Sequence, residues 1–392
     1  EPYSVKYQLG DTVYLEDTAY EITNIGRFDV QLRDPSQRYP IFRVENKDRL
    51  AVMLQRDSRN LEQPTAYTEP TASTETAVVQ GKSDLREMPA PCNFIITDDR
   101  LGEGGPKAKF GMNMEAIAVL KQIESENRAA TPDEQQALSK YVGWGGIPDA
   151  FEPGRAGWEK EYQELKAALT PEEYDSAKSS VLNAHYTSPT VIKAIYGAVR
   201  SMGFTSGKIL EPACGIGNFF GLLPEEMSES KLYGIELDGI SGRIAKLLYP
   251  NTEIRVTGYE KTDFQNDFFD LAIGNVPFGQ YQVNDPEYNK LGYSIHNYFL
   301  AKSLDKVRPG GILAFVTTRY TMDSQNTDVR EYLAQKADLL GAVRLPNNAF
   351  KANAGTEVVS DILFLQKRDT PADEAPEWVQ TGMNADGFII NN

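Results

Sequence analysis

The 392 residues carry 40 Lys and Arg against 56 Asp and Glu, and this formal net charge of −16 argues against a nucleic-acid partner held by bulk electrostatics. The hydrophobic fraction of 41% fits a folded chain with two or three domains, and no run of about 18 apolar residues predicts a membrane span. Two cysteines without CxxC spacing and two histidines argue against a metal site and indicate a reducing cytoplasm.

The acidic excess is uneven along the chain. Residues 181–370 carry 19 Lys and Arg against 21 Asp and Glu, so most of the excess lies outside this segment. The segment is therefore compatible with a nucleic-acid substrate. Because the chain begins with Glu-Pro and shows no signal-peptide pattern, we interpret it as a piece of a longer polypeptide.

The N-terminal residues predict a β module and a linker. Within residues 1–55, "DTVYLED", "AYEITNI" and "FDVQLRD" alternate apolar and polar residues between turn formers, which predicts a small β-barrel-like module. Residues 56–91 are rich in Ser, Thr, Pro, Gln and Glu, and this composition predicts a linker.

A mainly helical extension is predicted over residues 92–180. "TPDEQQAL" and "TPEEYDSA" each place Thr at an N-cap, Pro next and Glu three residues after the Thr, so Thr131/Glu134 and Thr170/Glu173 predict capping boxes. Between them, "YVGWGG" (141–146) is either a tight turn packed by Trp144 or a loop that faces the substrate.

From about residue 190, apolar strands and amphipathic helices alternate, which predicts a parallel α/β sheet over residues 181–370. The stretch "VVSDILFLQK" predicts a late strand antiparallel to its neighbour. Residues 371–392 are predicted to form a tail or the start of a further segment.

A glycine turn follows one of these strands in "ILEPACGIGNFF" (209–220), where Glu211 stands at the strand end. Ligands of open α/β sheets bind beyond the carboxyl ends of strands, and Gly215 and Gly217 would let the backbone approach a ligand closely. Glu211 can orient an ammonium group, and Glu236 at the end of the next strand can accept hydrogen bonds from a ribose diol. The turn lacks GxGxxG spacing and a phosphate-binding Lys-Ser/Thr, so it favours S-adenosylmethionine over NAD or ATP. A solvated acid is the alternative for Glu236.

A second motif, "IGNVPFG" (273–279), follows the apolar strand "FDLAIGN". Methylation of an exocyclic amine is slow because the nitrogen lone pair is delocalised into the ring. The Asn275 side-chain oxygen and the Val276 carbonyl could accept both N–H hydrogens and turn the lone pair toward a methyl donor. Pro277 holds residue 276 extended, and Phe278 can stack on a base. A strand followed by a proline turn is the alternative.

Together, the motifs resemble the gamma-type N6-adenine DNA methyltransferases over about residues 181–370. "HYTSP" (185–189) resembles their upstream cofactor motif, "EPACGIGNF" the glycine motif, "GIELD" the acid motif and "IGNVPFG" the catalytic motif, in which Val276 replaces the usual proline. The resemblance implies a Rossmann-like α/β methyltransferase domain that uses S-adenosylmethionine, preceded by the helical extension and the β module. His185 is interpreted as a helix-entry residue. The implied adenine-binding residues are Asn275, Val276, Pro277 and Phe278, and the implied cofactor-binding residues are Tyr186, Thr187, Pro189, Glu211, Pro212, Ala213, Cys214, Gly215, Gly217, Glu236, Leu237 and either Glu260 or Asp263, with Glu260 preferred.

With its "YVGWGG" segment, the chain also resembles the methylase region of very large proteins of conjugative elements and phages, in which a helicase region follows. This resemblance implies methylation of adenine N6 in DNA by base flipping, with a helicase region of the parent polypeptide as a partner. Gamma-type enzymes usually carry a target-recognition domain after the catalytic one, and only 22 residues follow residue 370 here. We therefore expect low sequence specificity, with recognition by the N-terminal portion or by the rest of the parent polypeptide as alternatives. RNA adenine or a protein glutamine amide is an alternative substrate. A non-catalytic scaffold that binds DNA or a partner is a third interpretation.

Overall fold

The computed structural model describes residues 11–15, 18–25, 29–33, 42–46, 50, 92–181, 186–350, 358–383, 385 and 389–391. The chain divides into two compact units, Glu1–Met88 and Pro89–Asn392. The predicted linker over residues 56–91 lies outside the described residues, and so does His185.

The described part of the first unit is an antiparallel meander whose strands pair in chain order: β1 (Thr12–Leu15), β2 (Thr18–Ile25), β3 (Asp29–Arg33) and β4 (Phe42–Asn46). Alternate residues, among them Val13, Leu15, Val30 and Leu32, are buried in one cluster with Leu50. The period of two in the sequence therefore predicts these strands correctly. The described segments do not pair β1 with β4, and the barrel-like closure stays a prediction.

Residues 92–181 are mainly helical, as predicted, and contain α1 (Pro106–Glu126), α2 (Pro132–Leu138), a 3-10 turn (Pro148–Phe151), α3 (Glu159–Ala168) and α4 (Pro171–Ser180). Both predicted capping boxes are confirmed. Thr131 Oγ1 accepts a 3.3 Å hydrogen bond from the Glu134 amide, and Thr170 Oγ1 accepts one of 3.2 Å from the Glu173 amide. Each Glu carboxylate in turn accepts the N–H of its Thr, so these contacts fix where α2 and α4 begin.

The "YVGWGG" loop is held by packing and by one buried amide. Trp144 is fully buried, and its ring meets that of Phe151 edge to face at 5.2 Å. The buried Asn113 side chain donates to the Gly143 carbonyl at 2.6 Å and accepts from the Val142 amide at 2.8 Å. Trp144 is therefore a core residue of the helical extension.

From residue 186 the chain alternates helices and strands: α5 (Pro189–Ser201), β5 (Lys208–Glu211), α6 (Asn218–Gly221), β6 (Lys231–Glu236), α7 (Gly239–Leu248), β7 (Glu253–Val256), β8 (Phe269–Asn275), α8 (Ile295–Lys306), β9 (Val307–Thr318), α9 (Tyr320–Asp323), α10 (Asp328–Lys336), β10 (Ala337–Arg344) and β11 (Ser360–Lys367). The sheet order is β10-β11-β9-β8-β5-β6-β7. β11 runs antiparallel to β10 and β9, as predicted, and the other pairs are parallel.

The central strands are apolar on both faces because helices cover both. Leu271 and Ile273 of β8 enter a cluster shared with α1, α5 and α7, whereas Phe269 and Ala272 enter a second cluster shared with α8 and α10. This is the predicted Rossmann-like α/β arrangement. It brings the carboxyl ends of β5, β6 and β8 to one edge of the sheet.

The C-terminal segment packs against the same unit. Val379 is fully buried, and its carbonyl accepts a 2.7 Å hydrogen bond from Nε of the buried Arg330. Beyond it, β12 (Thr381–Met383) pairs with β13 (Ile389–Asn391). In the described residues, the predicted tail is therefore anchored to the domain. No helix among the described residues combines the length and apolarity that a membrane crossing needs.

Candidate active site at the carboxyl ends of the strands

A cavity of about 870 Å³ lies where β5, β6 and β8 end. Glu211, Glu236 and Asn275, the last residues of these strands, all line it. The predicted site residues on its wall are Tyr186, Thr187, Glu211, Pro212, Ala213, Cys214, Gly215, Glu236, Leu237, Glu260, Asn275, Val276, Pro277 and Phe278. Three predicted residues, Pro189, Gly217 and Asp263, are not on the wall.

Glu211 is 3% exposed, and its Oε2 atom has no hydrogen-bond partner among the described residues. Gly274 leaves room for this side chain, because a Cβ there would lie 3.2 Å from Glu211 Cγ. Burial raises the pKa of the Glu211 carboxyl well above its usual value, and the charge of Glu236 adds to the effect. A buried acid with an unused acceptor atom suits a cationic hydrogen-bond donor.

Glu236 is held by backbone donors. Its Oε2 accepts the Gly215 N–H and its Oε1 accepts the Asp238 N–H, both at 2.7 Å. Burial raises the pKa of Glu236 to about 7, with a further contribution from the Asp238 charge, while the backbone donors oppose the rise. These contacts aim the carboxylate into the cavity and leave acceptor positions for a ligand.

The two glycines of the turn have different roles, one at the cavity and one in packing. Gly215 has a φ of 55° and lines the cavity, where a Cβ would come within 3.5 Å of the Tyr186 ring. Gly217 has a φ of 88°, and a Cβ there would lie 2.5 Å from the Tyr249 ring. Gly217 is therefore required by packing and by its left-handed backbone. Of the two glycines expected to let a ligand approach, only Gly215 lines the cavity.

The segment before α5 also contains predicted site residues that line the cavity and one that does not. Tyr186 and the buried Thr187 line the cavity, and burial raises the pKa of the Tyr186 hydroxyl. Pro189 is the first residue of α5, where its missing N–H leaves no helical hydrogen bond unmade. Its place in the structure is that of a helix start.

The two candidate acids after β7 also differ in position. Glu260 lies in a 3-10 turn (Tyr259–Lys261) and lines the cavity. The Asp263 side chain is 89% exposed and forms a 2.6 Å ion pair with Arg255, which lowers its pKa. The geometry therefore favours Glu260 for contact with a ligand.

At the other end of the cavity, Asn275 leads into the turn that contains Val276, Pro277 and Phe278. Val276 is 2% exposed, and its amide donates to the Val316 carbonyl at 3.1 Å. Phe278 is half-buried and packs against both core clusters of the sheet. The next carbonyl, that of Gly279, lies 3.1 Å from His296 Nδ1, and burial lowers the pKa of this imidazole to about 4. The neutral ring can therefore hold the turn in place.

The sequence motifs did not identify two further parts of the wall. One is the loop after the turn, with Tyr281, Gln282, Val283, Asn284 and Pro286. Asp285 anchors this loop through a buried 2.8 Å ion pair with Lys302, which also donates to the Tyr259 carbonyl at 2.9 Å. The other part comes from α4 of the helical extension and consists of Ser176, Ser179 and Ser180. Gly143 lies on the wall beside them and belongs to the "YVGWGG" loop, for which a position facing the substrate was one of the two predictions. The spacing of these serines on one face of α4 was the available signal.

Acidic side chains outnumber basic ones on the wall of the cavity. Glu211, Glu236, Asp238 and Glu260 line it, and Lys261 is the cationic side chain among its described residues. Such a wall suits a cation better than a phosphate group. Among the described residues, no group of three or more His, Cys, Asp and Glu side chains is arranged to hold a metal ion.

Comparisons with known proteins identify the family. Residues 172–379 match the model of the N-6 DNA Methylase family. The chain is 29% identical to Defense against restriction protein B of Escherichia phage P1 over 283 residues, which cover 70% of this chain and 11% of that protein. It is 28% identical to Type II methyltransferase M.CvrRI of Paramecium bursaria Chlorella virus XZ-6E over 170 residues, which cover 42% of this chain and 44% of that protein. The chain thus spans less than half the length of each of these relatives.

Among solved structures, a modification subunit of a putative type I restriction enzyme from Vibrio vulnificus YJ016 aligns with 68% of this chain and 76% of its own, with a TM-score of 0.41 and 17% identity. The EcoKI M protein of a type I restriction enzyme aligns with 67% of this chain and 61% of its own, with a TM-score of 0.37 and 18% identity. Since the family model covers more than half of the 392 residues, the chain belongs to the N-6 DNA methylase family.

Proposed function

We propose that this chain transfers a methyl group from S-adenosylmethionine to N6 of adenine in DNA, with the target base turned out of the duplex. One observation carries the proposal. A single cavity joins the acidic pair Glu211 and Glu236 to the Asn275–Phe278 turn. Membership of the N-6 DNA methylase family supports the same reaction.

The cofactor end fits S-adenosylmethionine in three respects. Oε2 of Glu211 has no hydrogen-bond partner among the described residues and can accept from the ammonium group of the methionine part, and Glu236 can accept from a ribose diol. Leu237, which is 74% exposed at the cavity wall, offers an apolar surface to an adenine ring, and Glu260 offers an acceptor for its amine. The cofactor supplies a methyl group on a positively charged sulfur, so neither a metal nor a protein nucleophile is required.

The other end fits the amino group of a base. The Asn275 side-chain oxygen and the Val276 carbonyl would accept the N–H hydrogens of N6, which turns the nitrogen lone pair toward the cofactor end. The hydrogen bond from the Val276 N–H to the Val316 carbonyl holds residue 276 beside β9 and so helps to fix the position of its own carbonyl. Phe278 would stack on the ring of the base. Positioning, rather than acid–base chemistry at Asn275, supplies the acceleration.

Low sequence specificity is part of the proposal. Within the described residues after β8, the chain forms the loop of the cavity wall over residues 276–294, the strands of the sheet, their covering helices and the anchored C-terminal segment. The described part of this region therefore offers no separate unit that could read a base sequence. We further propose that the chain acts in the cytoplasm, within a larger polypeptide of a mobile element that includes a helicase region. The phage relative, of which the chain covers 11%, supports the larger polypeptide and the mobile element.

A competition experiment tests the substrate. The protein is incubated with cofactor labelled in the methyl group and with DNA, RNA and a glutamine-containing protein together, and the label in each is counted. We expect the label in DNA as N6-methyladenine. Label chiefly in RNA or protein would refute the DNA assignment. Binding of the cofactor with no transfer to any of the three would instead indicate a non-catalytic scaffold.

A further inference from the structure

We propose that the helical extension is part of the cofactor site, with Ser176 as a positioning residue that holds Glu236 through Asp238. The inference rests on the proposed function, because Glu236 is the residue assigned there to the ribose of S-adenosylmethionine. It assigns a role in ligand binding to residues 92–181, which stand before the cofactor motifs in the sequence. Contacts at both ends of α7 carry the argument.

The first contact is at the N-terminal end of α7, directly after Glu236. Ser176 Oγ, on α4, donates a 2.9 Å hydrogen bond to Asp238 Oδ1. The other oxygen of Asp238 caps α7 by accepting from the Ser241 amide at 2.8 Å and from the Ser241 hydroxyl at 2.7 Å. The Asp238 amide in turn donates to Glu236 Oε1 at 2.7 Å. Ser176 is therefore linked to the ribose-binding carboxylate through one residue.

Asp238 needs this donor because it lies close to another acid. Glu236 and Asp238 both line the cavity, and their charges repel each other. A hydroxyl donor at Oδ1 fixes the rotamer of Asp238. Without Ser176, the side chain would be held at one oxygen only. The Asp238 amide, and with it the position of Glu236, would be less well defined.

Ion pairs along the side of α7 hold α4 against it. The Arg243 guanidinium, on α7, forms ion pairs with Glu173 at 2.5 Å and with Glu124 at 3.1 Å. Lys121 of α1 forms an ion pair with the same Glu173 at 2.7 Å. Glu173 also completes the capping box at the start of α4, so a residue that stabilises the first turn of this helix also ties it to α7. Ser176 lies within one turn of this anchor.

At the C-terminal end of α7 the contact is structural. The Gln135 side-chain amide, which is 6% exposed, donates to the Leu247 carbonyl at 3.0 Å and to the Leu248 carbonyl at 3.2 Å. These are carbonyls that a helix leaves without an internal partner. Gln135, Leu247 and Leu248 are not on the cavity wall. This contact therefore provides a control that joins the same two parts of the chain away from the ligand.

The extension also contributes directly to the wall. Ser179 and Ser180 line the cavity one turn after Ser176, and Gly143 lines it from the "YVGWGG" loop. The Asn113 hydrogen bonds fix that loop, as described above. Trp144 packing in the core leaves Gly143 at the surface of the cavity. The extension thus forms one side of the space that the cofactor would occupy.

The test measures the Kd for S-adenosylmethionine by titration calorimetry and the melting temperature of the ligand-free protein. The full chain is compared with Ser176→Ala, Ser176→Thr and Gln135→Ala. For Ser176→Ala we expect a Kd raised roughly three- to tenfold and a melting temperature lowered no more than in Gln135→Ala, because the lost hydrogen bond acts on Glu236 through one intervening residue. Ser176→Thr keeps the hydroxyl and should bind nearly as the unchanged chain does. Gln135→Ala should lower the melting temperature and leave the Kd within about twofold.

Two results would overturn the inference while the proposed function stands. One is an unchanged Kd for Ser176→Ala. The other is an equal loss of affinity in Gln135→Ala, which would mean that the extension acts through general stability. Failure of the unchanged chain to bind S-adenosylmethionine would refute the proposed function and this inference with it. The two kinds of failure are distinguishable because the unchanged chain alone tests the proposed function, whereas the variants test the role of Ser176.

Discussion

The Gly215 amide donates a 2.7 Å hydrogen bond to Oε2 of Glu236, so the turn after β5 holds the carboxylate that ends β6. Burial and the Asp238 charge nevertheless raise the pKa of Glu236 to about 7. Burial also raises the pKa of Glu211 at the end of the neighbouring strand. The two acids assigned to the cofactor are therefore poised to lose protons when a cation and a diol reach them.

Proton release on cofactor binding is the first prediction. Both carboxyl groups have raised pKa values without ligand, and a bound cation lowers them, so binding near pH 6 should release protons. Affinity should then rise as the pH is raised through about 7. Calorimetric titration at about pH 6 in two buffers with different ionisation enthalpies measures the number of protons. Equal apparent enthalpies in the two buffers would contradict the assignment.

Glu211→Gln should weaken S-adenosylmethionine binding by roughly tenfold or more, because a charge-assisted contact with the ammonium group is lost. The ligand-free variant should be at least as stable as the unchanged chain above neutral pH, since a neutral amide replaces a buried carboxylate whose Oε2 meets no donor in the part of the chain that the structure describes. Kd and melting temperature are the measurements.

Glu226→Gln is the matched control for this change, because Glu226 is solvent-exposed and pairs with Arg200 at 2.6 Å. It should leave the Kd unchanged. An equal effect of the two substitutions would show that net charge, and not the position of Glu211, governs affinity.

Asn275→Ala should reduce the rate of methyl transfer by roughly a hundredfold or more, because an acceptor aimed at the reacting amine is lost. Cofactor affinity should change by less than about threefold, since Asn275 is assigned to the base. Asn266→Ala, before the opposite end of β8 and hydrogen-bonded to Lys306 at 2.7 Å, is the control. Equal losses of affinity and rate would mean that Asn275 belongs to the cofactor end.

Val276→Pro tests whether the side chain at this position matters for catalysis. The carbonyl of residue 276 is retained, and the fixed φ of proline can hold it in place without the hydrogen bond to Val316, so the rate of transfer should stay within about threefold of that of the unchanged chain. The hydrogen bond from the residue 276 N–H to the Val316 carbonyl is lost, and we expect the free energy of unfolding to fall by about 1–3 kcal/mol. Chemical denaturation and a rate assay on folded protein check both values.

Val276→Ala, which keeps the amide donor, separates the lost hydrogen bond from the lost apolar packing. If Val276→Pro folds but transfers methyl groups more than about tenfold more slowly, the account of the Val276 carbonyl is wrong.

Local features of the fold and the site could be predicted from the sequence. The strands follow from apolar stretches, α2 and α4 from their capping boxes, and Glu211 and Asn275 from their positions at strand ends. Contacts between distant residues could not be predicted. Gly217 is required by Tyr249 across the packed interior, and Ser176 meets Asp238 across 62 positions of the chain. The local sequence around Gly217 or Ser176 does not predict which distant residue each one contacts.

The central claim is that the Asn275 turn presents the N6 amine of a DNA adenine to the methyl group of S-adenosylmethionine. The most direct measurement is mass spectrometry of nucleosides from DNA incubated with the protein and cofactor that contains a deuterated methyl group. The account predicts N6-methyladenine that carries the deuterium label with the unchanged chain, and none with Asn275→Ala. Cofactor binding without labelled N6-methyladenine, or equal labelling by both proteins, would contradict it.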